Sequence, residues 1–71
     1  MESRARDLAF TLWTFAEVRL AARDELPLAA TAIAEAAEIY GDLAKTAPEQ
    51  HGDSLWQVLT MAGDIGALVR Q

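Results

Sequence analysis

Apolar positions along the chain recur every three or four residues, and no stretch shows the two-residue alternation of a strand. Ala, Leu, Glu and Arg, all strong helix formers, dominate between two clusters of breaking residues. The first cluster is Asp24-Glu25-Leu26-Pro27 and the second is Pro48-Glu49-Gln50-His51-Gly52. The pattern therefore predicts an all-α chain of three antiparallel helices, over about 4–23, 27–46 and 54–70, forming one domain over 1–71.

Each segment has its own distribution around a 100° wheel. In the first, Leu8, Ala9, Leu12, Trp13, Phe15, Ala16 and Leu20 share a broad arc, with Phe10 and Val18 outside it. That helix should touch more than one neighbour, and Ser3 is its expected N-cap. The second is sharply two-sided. Leu28, Ala29, Ala32, Ile33, Ala36, Ile39, Tyr40, Leu43 and Ala44 form one face, while Thr31, Glu35, Glu38, Asp42 and Lys45 form the other. Pro27 suits its first turn, and Asp24 and Glu25 suit the positive end of its dipole. Gly41 weakens it by about 1 kcal/mol relative to Ala, a loss that a close backbone approach would explain. In the third, capped by Asp53 or Ser54, the apolar residues Leu55, Val58, Leu59, Met61, Ala62, Ile65, Leu68 and Val69 cover about half the wheel. Trp56 stands on the other side beside Gly63 and Ala67. This arc is wider than one neighbouring helix requires, and Gly63 and Gly66 fit a close helix–helix approach.

The first and third segments carry one pattern. A shift of 46 residues superposes Asp7 on Asp53, Phe10 on Trp56, Leu12 on Val58, Thr14 on Thr60 and Ala16 on Ala62. With a different helix between them, this is the order of a helical-hairpin repeat at one and a half units. Asp7-Leu8-Ala9 with Leu12 and Phe15-Ala16, then Glu35-Ala36-Ala37-Glu38-Ile39-Tyr40-Gly41-Asp42-Leu43-Ala44 followed by Pro48, resemble tetratricopeptide repeats of the kinesin-light-chain-like bacterial type. Asp53, Val58 and Met61-Ala62 resemble the start of the next repeat. The resemblance implies a protein-binding scaffold; a generic three-helix bundle is the alternative. Two departures qualify it. Many such repeats carry an Asn pair that grips the backbone of a peptide in the groove, and Trp13-Thr14 and Leu59-Thr60 stand at those positions. One and a half units are also fewer than the three that a stacked solenoid needs, so the third helix is expected to seek a partner.

Composition narrows the function classes. Apolar residues make up 52% of the 71, enough for a core and too many for a disordered chain. Eleven acidic against six basic residues give a net charge of −5, and the basic ones are scattered, which argues against nucleic acid and anionic membrane surfaces. The apolar runs are too short to span a bilayer, and the first residues do not read as a secretory signal, so a cytoplasmic protein is expected. There is no cysteine for a disulfide, a thiol nucleophile or a thiolate metal site.

Candidate chemistry is correspondingly sparse, and neither an enzyme nor a cofactor or metal site is expected. His51, the sole histidine, reads as a solvated loop residue with no ligand motif around it. The serines and threonines have no His–Asp partner arrangement, and the glycines form no phosphate loop. The large side chains Phe10, Trp13, Phe15, Tyr40, Trp56 and Met61 read first as core, with the two tryptophans the first to exceed what three helices can bury. Trp13, Trp56, Leu59, Met61, Ile65 and Leu68 are accordingly the candidate interface. The expected function is a non-catalytic interaction or self-association module, of scaffold or adaptor type, binding another protein or a second copy as a homodimer. The alternative is a small acidic regulator, antitoxin- or anti-activator-like, whose face Glu35, Glu38, Asp42 blocks a basic site on its target.

Overall fold

The computed structural model describes residues 2–70, with side chains from residue 4. They form α1 (Glu2–Ala22), α2 (Leu26–Thr46) and α3 (Pro48–Val69), with no strand among the described residues. α2 packs against α1 on one flank and α3 on the other, while α1 and α3 barely touch. The two outer helices run parallel to each other and antiparallel to α2. Principal extents are 36 × 18 × 15 Å. Three helices laid flat would be only about 5 Å deep between Cα atoms, so the 15 Å depth marks a V-shaped arrangement with α2 at its base.

Both joints are tight, and each has a local cause. At the first, Arg23 N–H donates to the Leu20 carbonyl and Asp24 N–H to the Arg19 carbonyl, both at 3.1 Å. This is the Schellman closure of a helix C-terminus, with Arg23 at φ 54° where glycine is usual. Glu25, at φ 51°, then opens α2 without a side-chain cap. Its carboxylate lies 3.7 Å from Arg19, whose guanidinium also stacks 5.0 Å from the Phe15 ring centre.

The second joint is a single residue. Ala47 donates its N–H to the Leu43 carbonyl at 2.9 Å, and its own carbonyl accepts from Gln50 and His51 at 3.1 Å. It thus ends α2 and begins α3 at once. A residue before proline is driven out of the helical region, and Pro48 then needs no donor in the first turn. The expected turn over Pro48–Gly52 and the cap at Asp53 or Ser54 are therefore corrected: α3 starts six residues earlier than 54, with neither capping it. Ser3 likewise lies within α1 and not ahead of it.

The core is built from small residues at seven-residue intervals. Ala9 and Ala16 of α1 meet Ala29, Ala32 and Ala36 of α2, and Ile33, Tyr40, Leu43, Val58 and Ile65 complete it. Alanine knobs let α1 lie close on α2. The early start of α3 puts His51 on the stripe of Val58 and Ile65, at i, i+7 and i+14. It is buried, 4% exposed, with its ring 6.5 Å from Tyr40. The expected loop histidine is thus a core residue on a helix. Leu28, expected on the buried face of the second helix, is exposed instead. The glycines do not serve close approach within this chain: a Cβ at Gly41, Gly52 or Gly63 would meet nothing within 4 Å, and at Gly66 only the Arg70 guanidinium at 3.8 Å.

Candidate functional site

Because α1 and α3 diverge over α2, a channel runs between them along the length of the molecule. It has three connected hollows. The first, of about 570 Å³, is bounded by Arg6, Asp7 and Phe10 from α1, Gln50, His51 and Ser54 from α3, and Tyr40 beneath. The middle one, about 260 Å³, lies between Trp13, Glu17 and Leu20 on one wall and Trp56, Thr60, Met61 and Asp64 on the other. The last, about 560 Å³, lies between Leu20, Ala21 and Arg23 and Asp64, Ala67 and Leu68. Trp13 borders the first two hollows, and Leu20 and Asp64 border the last two, so the three are continuous.

An aromatic chain ties the channel's first third to all three helices. Phe10 meets Trp13 edge-on at 6.2 Å, Trp13 meets Tyr40 edge-on at 6.0 Å, and Tyr40 lies against His51. Such contacts fix ring orientation beyond simple burial. Burial pushes the Tyr40 phenol above its ordinary pKa, and the Arg6 guanidinium pulls partly against that. The Trp13 indole Nε1 is buried with no hydrogen-bond acceptor, an arrangement that costs about 1–3 kcal/mol.

The channel walls mix apolar side chains such as Phe10, Trp13 and Met61 with polar ones such as Gln50, Gln57 and Thr60. Thr14 donates to the Phe10 carbonyl and Thr60 to the Trp56 carbonyl, each at 2.9 Å, so both hydroxyls are tied to their own helix. Glu17 and Asp64 border the middle hollow, and neither has an ion-pair partner among the described residues.

The six candidate interface residues separate into three environments. Leu59 is 54% exposed on the surface of α3, and Trp56, 70% exposed, stands at the outer rim of the middle hollow. Trp13, Met61 and Leu68 are half-buried on the channel walls. Ile65 is fully buried, so it belongs to the core and not to any interface. Phe10, 60% exposed at the channel mouth, is the residue missing from that set. Its place outside the main arc of the first helix was the signal for it. Glu35, Glu38 and Asp42 lie together with Ile39 around a shallow hollow on the outer face of α2, remote from the channel, with Lys45 3.5 Å from Asp42.

Among the described residues, no group of three or more His, Asp or Glu side chains converges as a metal site, and no helix is long and apolar enough to cross a membrane. Comparison of the chain with known families, curated proteins and solved structures finds no match.

Proposed function

We propose that the chain is a non-catalytic protein–protein interaction module of scaffold or adaptor type, which docks an amphipathic helix of a partner along the channel between α1 and α3. The observation that carries this reading is the placement of Phe10, Trp13, Trp56 and Met61 on the walls of an open channel when the core itself is largely alanine. Aromatic side chains at a partly open cleft are the residues from which binding hot spots are made. A helix suits the channel because Phe10, Trp13 and Met61 along its walls match an apolar stripe, and the Thr60 hydroxyl is tied to its own helix. Glu17 and Asp64 favour a helix whose apolar stripe is flanked by Lys or Arg. A tetratricopeptide-like reading rests on the recurrence of the first helix's sequence pattern in the third, on either side of a different helix.

The second reading, an acidic regulator, rests on the Glu35, Glu38 and Asp42 face. Affinity capture with immobilised protein separates the two. For docking in the channel, Met61→Glu should remove the captured partners, Glu35→Lys with Glu38→Lys should leave them, and retention should persist as salt rises. A blocking acidic face gives the opposite mutant pattern and loses its partners steeply with salt.

A further inference from the structure

The flank of α3 that faces away from α1 carries a seam with a seven-residue repeat. Gly52, Leu59 and Gly66 form one row, and Leu55, Ala62 and Val69 form the row beside it. The core row His51, Val58 and Ile65 sits one residue's step around the helix from the first. Leu59, Val69 and the neighbouring Trp56 are exposed, while Leu55 and Ala62 are half-buried along the edge of the core. A Cβ at Gly52 would meet no neighbour within 4 Å, and one at Gly66 only the Arg70 guanidinium.

We propose that two copies of the chain associate through this seam, α3 against α3 in the antiparallel sense about a two-fold axis between Thr60 and Met61. The proposal rests on the interaction-module reading and names one partner for it. Three features select a second copy in this orientation. First, the antiparallel register sets Leu59 level with the second copy's Ala62, Leu55 with its Gly66, and Val69 with its Gly52. Each level pairs one large residue with one small, as interdigitated packing requires. A parallel pair would set each residue against itself, leaving voids at the glycines and crowding at Leu59. Second, no residue of the seam is charged, while Glu49 and Arg70 stand at its two ends. The antiparallel arrangement brings each Glu49 towards the other copy's Arg70, whereas the parallel one would oppose like charges. Third, two Trp56 side chains, each able to bury about 150–250 Å², supply roughly a third of the about 1,000 Å² that a specific interface needs.

Light scattering coupled to size-exclusion chromatography, over a hundredfold range of concentration, tests this with wild type, Gly52→Leu and Met61→Glu. Wild type should pass from monomer to dimer. Gly52→Leu should stay helical and melt no lower than the wild-type monomer, because a Cβ there meets no neighbour within 4 Å and leucine favours the helix over glycine. Its dimer should nevertheless weaken at least tenfold. Met61→Glu, on the channel wall, should dimerise like wild type, so losing channel docking and losing the dimer are separate outcomes. Asp53→Cys, in a chain with no other cysteine, reports the orientation. On the face turned from the seam, spin labels there should lie about 30 Å apart in the antiparallel dimer, against about 20 Å in a parallel one. A wild type monomeric throughout, an undiminished Gly52→Leu dimer, or the short label distance would each overturn the proposal.

Discussion

Replacing Arg23 by glycine should stabilise the protein, although it deletes a side chain and introduces the most flexible residue. Arg23 holds the left-handed position of the α1 closure at φ 54°, with hydrogen bonds of 3.1 Å from its own N–H and from Asp24 fixing that geometry. An L-residue there loses about 1–2 kcal/mol relative to a right-handed conformation. Glycine removes that strain, and its extra freedom in the unfolded chain returns about 0.4–1 kcal/mol of it. The net gain is about 0.5–1 kcal/mol, or roughly 2–8 °C in a domain of this size. Arg23→Ala is the control, since it deletes the same side chain and keeps the strain. Urea unfolding followed by helical circular dichroism should rank Gly above Ala. Glu25→Gly relieves a similar strain at φ 51° but loses the 3.7 Å pairing with Arg19. That pair is half-exposed and worth under about 1 kcal/mol, so this variant should change little. An Arg23→Gly protein less stable than Arg23→Ala would refute the reasoning, because it would mean that the backbone turn is not the strained element.

Other consequences follow from burial and titration. Ile65→Ala should destabilise by about 2–5 kcal/mol, because Ile65 is fully buried between α3 and α2; against a total of about 4–11 kcal/mol for 71 residues, calorimetry should show a marginal fold. Gly41→Ala should raise stability by about 1 kcal/mol in the same unfolding assay, since its Cβ meets no neighbour and the helix is favoured. Tyr40 is the sole tyrosine and its phenol titrates above the ordinary value. The folded state then holds its proton more tightly than the unfolded state, so stability should be complete below about pH 10 and decline as pH rises beyond it. Tyrosinate absorbance should follow that decline, and Tyr40→Phe should abolish this component of it.

The helical count, the two-sidedness of α2 and the many-sidedness of α1 were legible from periodicity, because each helix takes its pattern from the faces it buries. The start of α3 was not. Pro27 and Pro48 are chemically the same signal, yet a proline both breaks the helix before it and opens the helix after it. With Gly52 four residues on, the segment from Pro48 reads as a longer turn, and tertiary packing carries the helix through it. The placement of His51 followed from that boundary. Ile65 and Leu59 are equally apolar and both fall within the broad arc of α3, so only the position of α2 decides which is core. The Schellman closure left no trace either, since its usual glycine is absent and Arg23 bears the strain.

The distribution of side-chain size ties the stability of this fold to its concentration. Half of the buried apolar residues are alanines, while Phe10, Trp56, Leu59 and Val18 stand exposed. Each buried methylene contributes about 0.8 kcal/mol, so the monomer forgoes much of what its largest side chains could supply. Binding to the folded state recovers it through mass action. For a dimer, each tenfold rise in concentration above the dissociation constant adds about 0.7 kcal/mol per chain, roughly 3–6 °C in midpoint. Below that constant the midpoint should be flat. Gly52→Leu should begin to rise only at a concentration at least tenfold higher, and should start from a midpoint no lower than that of wild type, because leucine improves the isolated helix and blocks the seam. A wild-type midpoint that stays constant from micromolar to millimolar chain would mean that the exposed apolar residues are stabilised by no second copy. The channel would then remain as the surface at which a different partner must bury them.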